Sequence, residues 1–281
     1  MGKRKLLLAA VAAAAAAVGL AAIAQAAITA QTITATTTTA KQDKKRHGAG
    51  DITVIIDTFE SPPTPVAQTA ERTYVDFDKD FKISPGKLGT CTQAQLTNTT
   101  TAQAKANCAS ALVGTGSARS CSASGGCGAL AFDLEVTAFN GAPEGKNPVL
   151  YLHAKGIGAI AALPPLILRG VYIDSPLPGY GKRLVVDVPD TSSTGTHLTQ
   201  FITHVGVLKN GVKKKVKGPR NPKTGKRKVK RVPQYYAMAR CSDGDWTVRS
   251  ETRFRAGGGT LSDTYTSGCK QRKTRKGKKK K

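Results

Sequence analysis

Hydrophobic and polar residues alternate over most of the chain between residues 51 and 269. A period of two is typical of a strand that buries one face, because successive side chains of a strand point to opposite sides. In residues 74–83 the apolar set is Val75, Phe77, Phe81 and Ile83, and the acidic set is Asp76, Asp78 and Asp80. We therefore expect a strand here, with the three aspartates on its solvent-exposed face.

Further short apolar runs follow, separated by turn-forming Gly, Pro and Asn residues. The ten predicted strands lie at 52–59, 74–83, 130–136, 149–154, 166–173, 184–188, 198–208, 234–241, 246–254 and 260–266. Many strands with few helices predict an all-β fold, either a β-sandwich or an open barrel. We expect residues 51–269 to form a single β-rich domain.

One segment favours helix instead. The residues between Cys91 and Cys108 are mostly Ala, Gln and Thr, and Thr92 or a threonine within 97–101 can cap a helix. The threonine run lowers helix propensity, since β-branched side chains lose rotamer freedom in a helix. The sequence therefore predicts a short α-helical segment around 92–107, either broken once or split in two.

The amino-terminal residues have the order of a secretory signal peptide. A basic start, MGKRK, precedes an apolar run from Leu6 to Ala24, and Ala24-Gln25-Ala26 fits the small-x-small cleavage rule. We expect cleavage near Ala26, which gives a secreted or cell-wall associated protein with no integral membrane span. The alternative is that residues 6–24 stay as an anchor, because they are nearly long enough to cross a bilayer.

The two ends of the mature chain differ in composition from its body. Residues 27–50 are first Thr-rich and then polar and basic, and residues 270–281 are almost entirely basic. Such compositions are typical of segments that bury little apolar surface. We predict a disordered linker over 27–50 and a disordered basic tail over 270–281.

Six cysteines in an exported chain favour disulfide bonds. Nearest-neighbour pairing would join Cys91 to Cys108, Cys121 to Cys127, and Cys241 to Cys269, although six cysteines allow 15 pairings. The chain has no CxxC and no His-x-x-x-His, so its Cys and His residues predict neither a metal site nor a cofactor.

The net charge of +25 is unevenly distributed. Residues 209–231 contain twelve Lys or Arg and no acid, residues 270–281 contain nine and no acid, and residues 1–50 contain seven against one acid. The rest of the chain has 15 basic and 17 acidic residues and is nearly neutral. The positive charge is therefore a property of appendages rather than of the β-rich body.

The basic segment 209–231 predicts a hairpin inserted in the domain. Together with the tail it can condense on a polyanion and release counterions. The predicted polyanion-binding residues are Lys213, Lys214, Lys215, Lys217, Lys226, Arg227, Lys228, Lys230, Arg231, Lys278, Lys279, Lys280 and Lys281. Neither segment contains an aromatic residue for base stacking, so nucleic acid is not favoured. An anionic wall polymer or membrane surface is the expected partner, and the alternative is that these lysines only maintain solubility.

Candidate catalytic and metal-binding patterns are weak. Asp76-x-Asp78-x-Asp80 resembles the start of a calcium loop but has Phe81 and Lys87 where such a loop needs Gly and Glu. The segment Gly114-Thr115-Gly116-Ser117-Ala118 lacks the pattern of a nucleophilic serine, so a triad with His153, His197 or His204 has no support. A glycosidase would need two of Asp133, Glu135, Glu144, Asp187 and Glu251 across a cleft. Catalytic residues stay unassigned.

The order of several motifs resembles a group of exported proteins from high-GC actinobacteria. The first is Gly89-Thr90-Cys91, a polar helix, Cys108 and then Ala-Leu-Val-Gly-Thr-Gly. The others are Ala138-Phe139-Asn140-Gly141, Leu150-Tyr151-Leu152-His153, Gly179-Tyr180-Gly181, and the pair Cys241 and Cys269 around Trp246. The resemblance covers most of residues 52–269. It implies export and a β-rich fold and, since the group has no established activity, it assigns no functional residue.

The leading hypothesis is thus an exported, non-enzymatic β-domain that associates electrostatically with the anionic cell envelope. Two alternatives stay open: a secreted hydrolase of wall or plant polysaccharide, and a structural surface protein without a ligand. A hydrolase would show paired acids in a deep cleft, whereas an envelope-binding module would show a basic arm on a neutral body.

Overall fold

A computed structural model describes residues 28–37, 42–60, 68–86, 88–122, 130–191, 196–206, 213–220, 222, 224–225, 227–233, 235–255 and 258–272. The strands are β1 (Ile28–Thr37), β2 (Gly48–Ala49), β3 (Ile52–Glu60), β4 (Ala70–Asp78), β5 (Phe81–Ile83), β6 (Leu112–Ser122), β7 (Leu130–Glu144), β8 (Asn147–Gly156), β9 (Leu166–Asp174), β10 (Tyr180–Asp187), β11 (Thr196–Val205), β12 (Lys213–Arg220), β13 (Arg227–Pro233), β14 (Ala237–Ala239), β15 (Asp245–Phe254) and β16 (Thr260–Gly268). The helices are α1 (Gln93–Leu96) and α2 (Thr101–Asn107). The all-β prediction is confirmed.

Eleven strands form one antiparallel sheet in the order β1-β3-β11-β6-β7-β8-β9-β10-β4-β15-β16. The sheet curves until its two edges meet, where Ile33 N donates to Asp263 Oδ2 at 2.8 Å and Gln31 Nε2 donates to Ser250 Oγ at 2.6 Å. Because the number of strands is odd, the edge strands β1 and β16 run in the same direction. The Ile33–Asp263 bond joins β1 to β16 and the Gln31–Ser250 bond joins β1 to β15, in place of a regular ladder, and the sheet is a nearly closed barrel.

One end of the barrel, which we call the floor, is filled by a small sheet and aromatic side chains. In the small sheet β14 lies between β2 and β5 and pairs with both. Trp246 packs on Phe81 with ring centroids 5.2 Å apart, and Tyr172 packs on Tyr236 at 6.5 Å. Trp246 is buried, and its Nε1 donates to Arg240 O at 2.7 Å, as expected for a core residue rather than a sugar platform.

The opposite end of the barrel, which we call the rim, is where β3, β6, β10 and β15 end and β4, β7, β11 and β16 begin. Four of the connections at this end, at 61–67, 123–129, 192–195 and 256–257, lie outside the described residues. The rim also holds the three large hydrophobic side chains that are about half exposed in the described chain, namely Phe59, Ile157 and Leu163. Apolar surface is therefore exposed at the rim and buried at the floor.

The prediction of a disordered linker over 27–50 was wrong for the residues that the structure describes. Residues 28–37 form β1, which buries Ile33 and Ala35 and pairs with β3 over its length. Threonine and isoleucine at alternating positions fit a pleated surface, and this outweighs the low complexity of the segment. Residues 48–49 form β2 in the floor sheet.

The predicted disordered tail was also wrong at its start. Gln42 N donates to Lys270 O at 2.9 Å, and Arg272 N donates to Gln42 O at 2.7 Å. Gln42 itself is buried. The segments on either side of the predicted domain therefore hold each other at the barrel surface, and the tail from residue 273 onward lies outside the described residues.

The predicted helical segment is confirmed as two short helices, each with a threonine cap. Thr92 and Thr100 both form capping boxes, with Gln95 and Gln103 as the reciprocal partners. The segment packs on the outer face of β7 and β8, where Leu96, Ala104 and Phe139 form a small second core. The cap threonines divide the helix because each satisfies amide groups that would otherwise lack partners.

Two of the three predicted disulfides are present in the described chain. Cys91 and Cys108 close the helical segment with their Cα atoms 5.5 Å apart, and Cys241 and Cys269 join the loop before β15 to the end of β16 at 5.9 Å. Cys127, the predicted partner of the buried Cys121, lies outside the described residues. The disulfides fit an oxidising compartment.

The expectation that three aspartates lie on an exposed face was wrong, because Asp76, Asp78 and Asp80 are all buried. Asp76 Oδ1 and Oδ2 accept hydrogen bonds from Arg183 Nε and Nη2, both at 2.8 Å. Asp80 Oδ1 accepts from Arg240 Nε at 2.6 Å. Arginines distant in sequence thus cover Asp76 and Asp80, and a short-range pattern could not show that.

Candidate functional site

A cavity of about 110 Å³ lies inside the barrel. Its wall is formed by inward-facing residues of β3, β4, β8, β9, β10, β11 and β15, and its floor includes Ile83, Tyr172 and Ala237. On β3, the alternate residues Ile52, Val54, Ile56 and Thr58 all line the cavity. A strand rises about 3.3 Å per residue, so this row spans about 20 Å along the strand, or about 15 Å along the axis of a tilted barrel. The cavity is therefore elongated.

The lining is almost entirely apolar. Among the described residues that form it, none is Asp, Glu, His, Lys or Arg, and the polar members are threonines, Gln200 and the phenol of Tyr172. Burial raises the pKa of Tyr172, and burial also raises the pKa of Tyr236 next to it. Both phenols are therefore uncharged at neutral pH. The cavity can hold apolar matter, and its described wall offers no pair of groups for general acid–base chemistry.

The carboxylates considered for a glycosidase are not brought together on a cleft. Each is in an ion pair with a neighbouring cation: Asp133 with Arg119, Glu135 with Lys105, Glu144 with Arg169, Asp187 with Arg72, and Glu251 with Arg249. None of the five belongs to the described lining of the cavity. Five acids in separate ion pairs do not resemble a pair of catalytic acids that face each other across a cleft.

The histidines and the candidate serine are likewise separate. His153 is buried beneath the helical segment, and burial lowers its pKa. His204 contacts Thr53 Oγ1 through Nδ1 at 2.8 Å and Asp51 Oδ1 through Nε2 at 2.6 Å. Thr53 and His204 alternate along β3 and β11 with residues that line the cavity. Their side chains therefore point away from the cavity.

The Gly-Thr-Gly-Ser-Ala segment lies within β6, not at a strand-to-helix turn. A Cβ atom on Gly116 would lie 2.0 Å from Ile202 O, so the glycine is needed for the close approach of β6 and β11. The segment therefore has a packing role, which agrees with the absence of a nucleophile motif.

The three buried aspartates do not form the calcium site that their spacing suggested. Asp78 Oδ1 accepts from Asp80 N at 2.8 Å and Asp78 Oδ2 accepts from Thr247 N at 3.1 Å, while burial raises the pKa of Asp78. The oxygens that a cation would need are used by amides and arginines. Within the described chain, no group of three or more His, Cys, Asp or Glu side chains is placed to hold a metal ion.

The basic hairpin is a separate unit. Strands β12 and β13 form their own two-stranded sheet and are hydrogen-bonded to no strand of the barrel or floor sheets in the described residues. β12 contains the predicted residues Lys213, Lys214, Lys215 and Lys217, and β13 contains Arg227, Lys228, Lys230 and Arg231. Lys226 and Lys278–Lys281 lie outside the described residues. The two strands pair with each other in and just beyond the predicted segment 209–231, and the binding role of the segment stays a prediction.

The hairpin register places cationic residues opposite each other. Lys215 pairs with Arg231, and Arg220 pairs with Arg227. Like charges that face each other across two strands destabilise the pairing. Both strands of the hairpin therefore carry positively charged residues at paired backbone positions.

The sequence did not indicate the cavity. Alternation shows which side chains point inward, but whether the enclosed space is filled depends on the number and curvature of the strands.

In the part of the chain that the structure describes, no helix is both long enough and apolar enough to cross a bilayer. Comparisons of the chain with protein-family models, curated proteins and solved structures find no match. The resemblance to exported actinobacterial proteins therefore stays a prediction.

Proposed function

We propose that this protein is an exported, non-enzymatic β-barrel domain that is held at an anionic cell envelope by its basic hairpin and tail. The observation that carries the proposal is the separation of charge from fold. Twelve basic residues and no acid lie in 209–231, and the two strands of this segment form a sheet apart from the barrel. A basic surface of this kind attracts polyanions without regard to their detailed structure.

Export is supported by two features. The first 26 residues have the basic, apolar and small-residue order of a signal peptide. The disulfides Cys91–Cys108 and Cys241–Cys269 fit a protein that folds where thiols oxidise. In that location the abundant polyanions are wall polymers and phospholipid head groups.

The absence of an enzymatic role is supported by where the reactive groups lie. The candidate acids are in ion pairs on the outer surface, and the described wall of the cavity holds no carboxylate or imidazole. No specific observation favours the hydrolase alternative.

The test is retention of the protein on isolated cell envelopes through washes of increasing salt. Retention should fall steeply between low and moderate ionic strength, since screened charges release a polyanion. Deleting residues 270–281 should make that decline shallower, and deleting residues 209–231 as well should abolish retention. Salt-insensitive retention would reject the electrostatic mechanism, and no retention at any salt concentration would favour a surface protein without this partner.

A further inference from the structure

The barrel cavity has features that the envelope proposal does not use. An apolar space that reaches the rim of a barrel is the kind of site in which barrels hold small ligands. Well-packed cores leave few voids larger than a water molecule, so a cavity of about 110 Å³ is unusual for a purely structural interior. Several inward-facing side chains of its wall, among them Val54, Ile56 and Phe201, are only half-buried, because they face this space.

The shape of the cavity restricts its occupant. The row of β3 residues from Ile52 to Thr58 gives it a length of about 15 Å along the barrel axis. Its wall is formed mainly by aliphatic side chains, such as Leu152, Leu168 and Leu184. A long, narrow, apolar space suits an extended hydrocarbon chain better than a broad, flat molecule.

The charge of the cavity restricts the occupant further. No charged side chain lines the described wall, so an ionic head group would lose its hydration without gaining a partner inside. The head group must therefore stay at the rim, where the polar residues of the lining include Thr58, Thr199 and Gln200. The apolar lining residues Ala70, Val188 and Leu198 lie towards the same end of the barrel, so the apolar wall continues to the rim.

We infer that the barrel binds a single hydrocarbon chain, of a free fatty acid or of a single-chain lipid, with the chain in the cavity and the head group at the rim. The site is distinct from the basic hairpin, because none of the described lining residues belongs to β12 or β13 and these strands form a separate sheet. Hydrocarbon binding and polyanion binding therefore use different residues.

The test is calorimetric titration of the purified protein with octanoic, decanoic and dodecanoic acid, each below its micellar concentration. Each methylene that enters the cavity should tighten binding by roughly fourfold, with one chain bound per protein. A parallel titration with lysophosphatidylcholine bearing the dodecanoyl chain separates the two sources. Binding of the acid identifies a fatty-acid site, and binding of the lysolipid alone identifies a lipid site. No binding of either ligand, or an affinity independent of chain length, would overturn the inference.

Two cavity-filling variants link the binding to the cavity. Val54→Trp and Val186→Phe each place a ring in the lining, and each should weaken binding at least tenfold. The matched controls Ile55→Trp and Val185→Phe place the same rings at adjacent positions of β3 and β10, which are outside the described lining. The controls should bind within about twofold of the wild-type protein. Equal affinity in the filled variants and their controls would overturn the inference, as would undiminished binding in filled variants that retain the wild-type circular dichroism spectrum.

The two proposals fail separately. Deleting the hairpin should abolish salt-dependent retention and leave hydrocarbon binding unchanged. Filling the cavity should weaken hydrocarbon binding and leave retention unchanged. A cavity variant that also lost retention despite a native fold would contradict this separation.

Discussion

Replacing Asp76 with alanine should destabilise the barrel far more than removing an exposed ion pair on the same two strands. Asp76 on β4 is fully buried, and both of its carboxylate oxygens accept from the Arg183 guanidinium on β10 at 2.8 Å. Ser175 Oγ also donates to Asp76 Oδ1 at 2.6 Å. The Arg183 guanidinium itself lies 5.1 Å from the centre of the Tyr74 ring and is largely buried.

The magnitude follows from what the substitution leaves behind. Asp76→Ala removes the anion and leaves the Arg183 charge in a site from which water is largely excluded. Breaking a buried pair in this way costs about 3–5 kcal/mol. For a domain of this size, 1 kcal/mol corresponds to about 2–4 °C, so the melting temperature should fall by about 6–20 °C.

Asp187→Ala is the matched control. Asp187 pairs with Arg72 at 2.6 Å across the same two strands, but both side chains are about half exposed. Its loss should cost less than about 1 kcal/mol. The double replacement Asp76→Leu with Arg183→Leu should recover most of the stability, because no unpaired charge is then buried. Urea denaturation measures all of these differences, and equal costs for Asp76→Ala and Asp187→Ala would refute the argument.

Two further predictions concern the disulfide at the floor and the buried imidazole. Replacing both Cys241 and Cys269 with Ser should lower the free energy of unfolding by about 3.5 kcal/mol, because the disulfide restricts the unfolded chain. Urea denaturation measures this difference. An unchanged midpoint of the urea transition would contradict the prediction. Burial holds the pKa of His153 below its ordinary value of 6.5, so the unfolded state takes up a proton that the folded state resists, and stability should fall as the pH drops from about 8 to about 5. His153→Phe should make that fall smaller in denaturation experiments at the two pH values, and an identical pH dependence would show that other groups cause it.

Much of the fold was predictable because it depends on short-range patterns. Alternation marked the strands, the threonine caps marked the two helices, and close spacing along the chain marked the pairs Cys91–Cys108 and Cys241–Cys269. The run of basic residues broken by Gly and Pro marked the hairpin. In each case, residues near one another in sequence determine the outcome.

The errors involve contacts between distant parts of the chain. β1 has small and β-branched residues that bury little surface alone, and it becomes a strand because β3 offers an edge and β16 lies on its other side. The burial of Asp76 depends on Arg183, which is 107 residues away in sequence. The cavity depends on the closure of eleven strands, which no single strand pattern reveals.

The central claim, that charge on the hairpin holds the protein to a polyanion, is tested most directly by the salt dependence of binding to a linear polyphosphate. A variant with Lys213, Lys215, Lys228 and Lys230 replaced by Gln should reduce the slope of log affinity against log salt by up to about four, roughly one per lost contact. A control with the exposed residues Lys44, Lys45, Lys82 and Lys146 replaced by Gln has the same net charge and should keep the wild-type slope. Equal slopes in the two variants would show that net charge alone governs the attraction and would contradict a binding role for the hairpin.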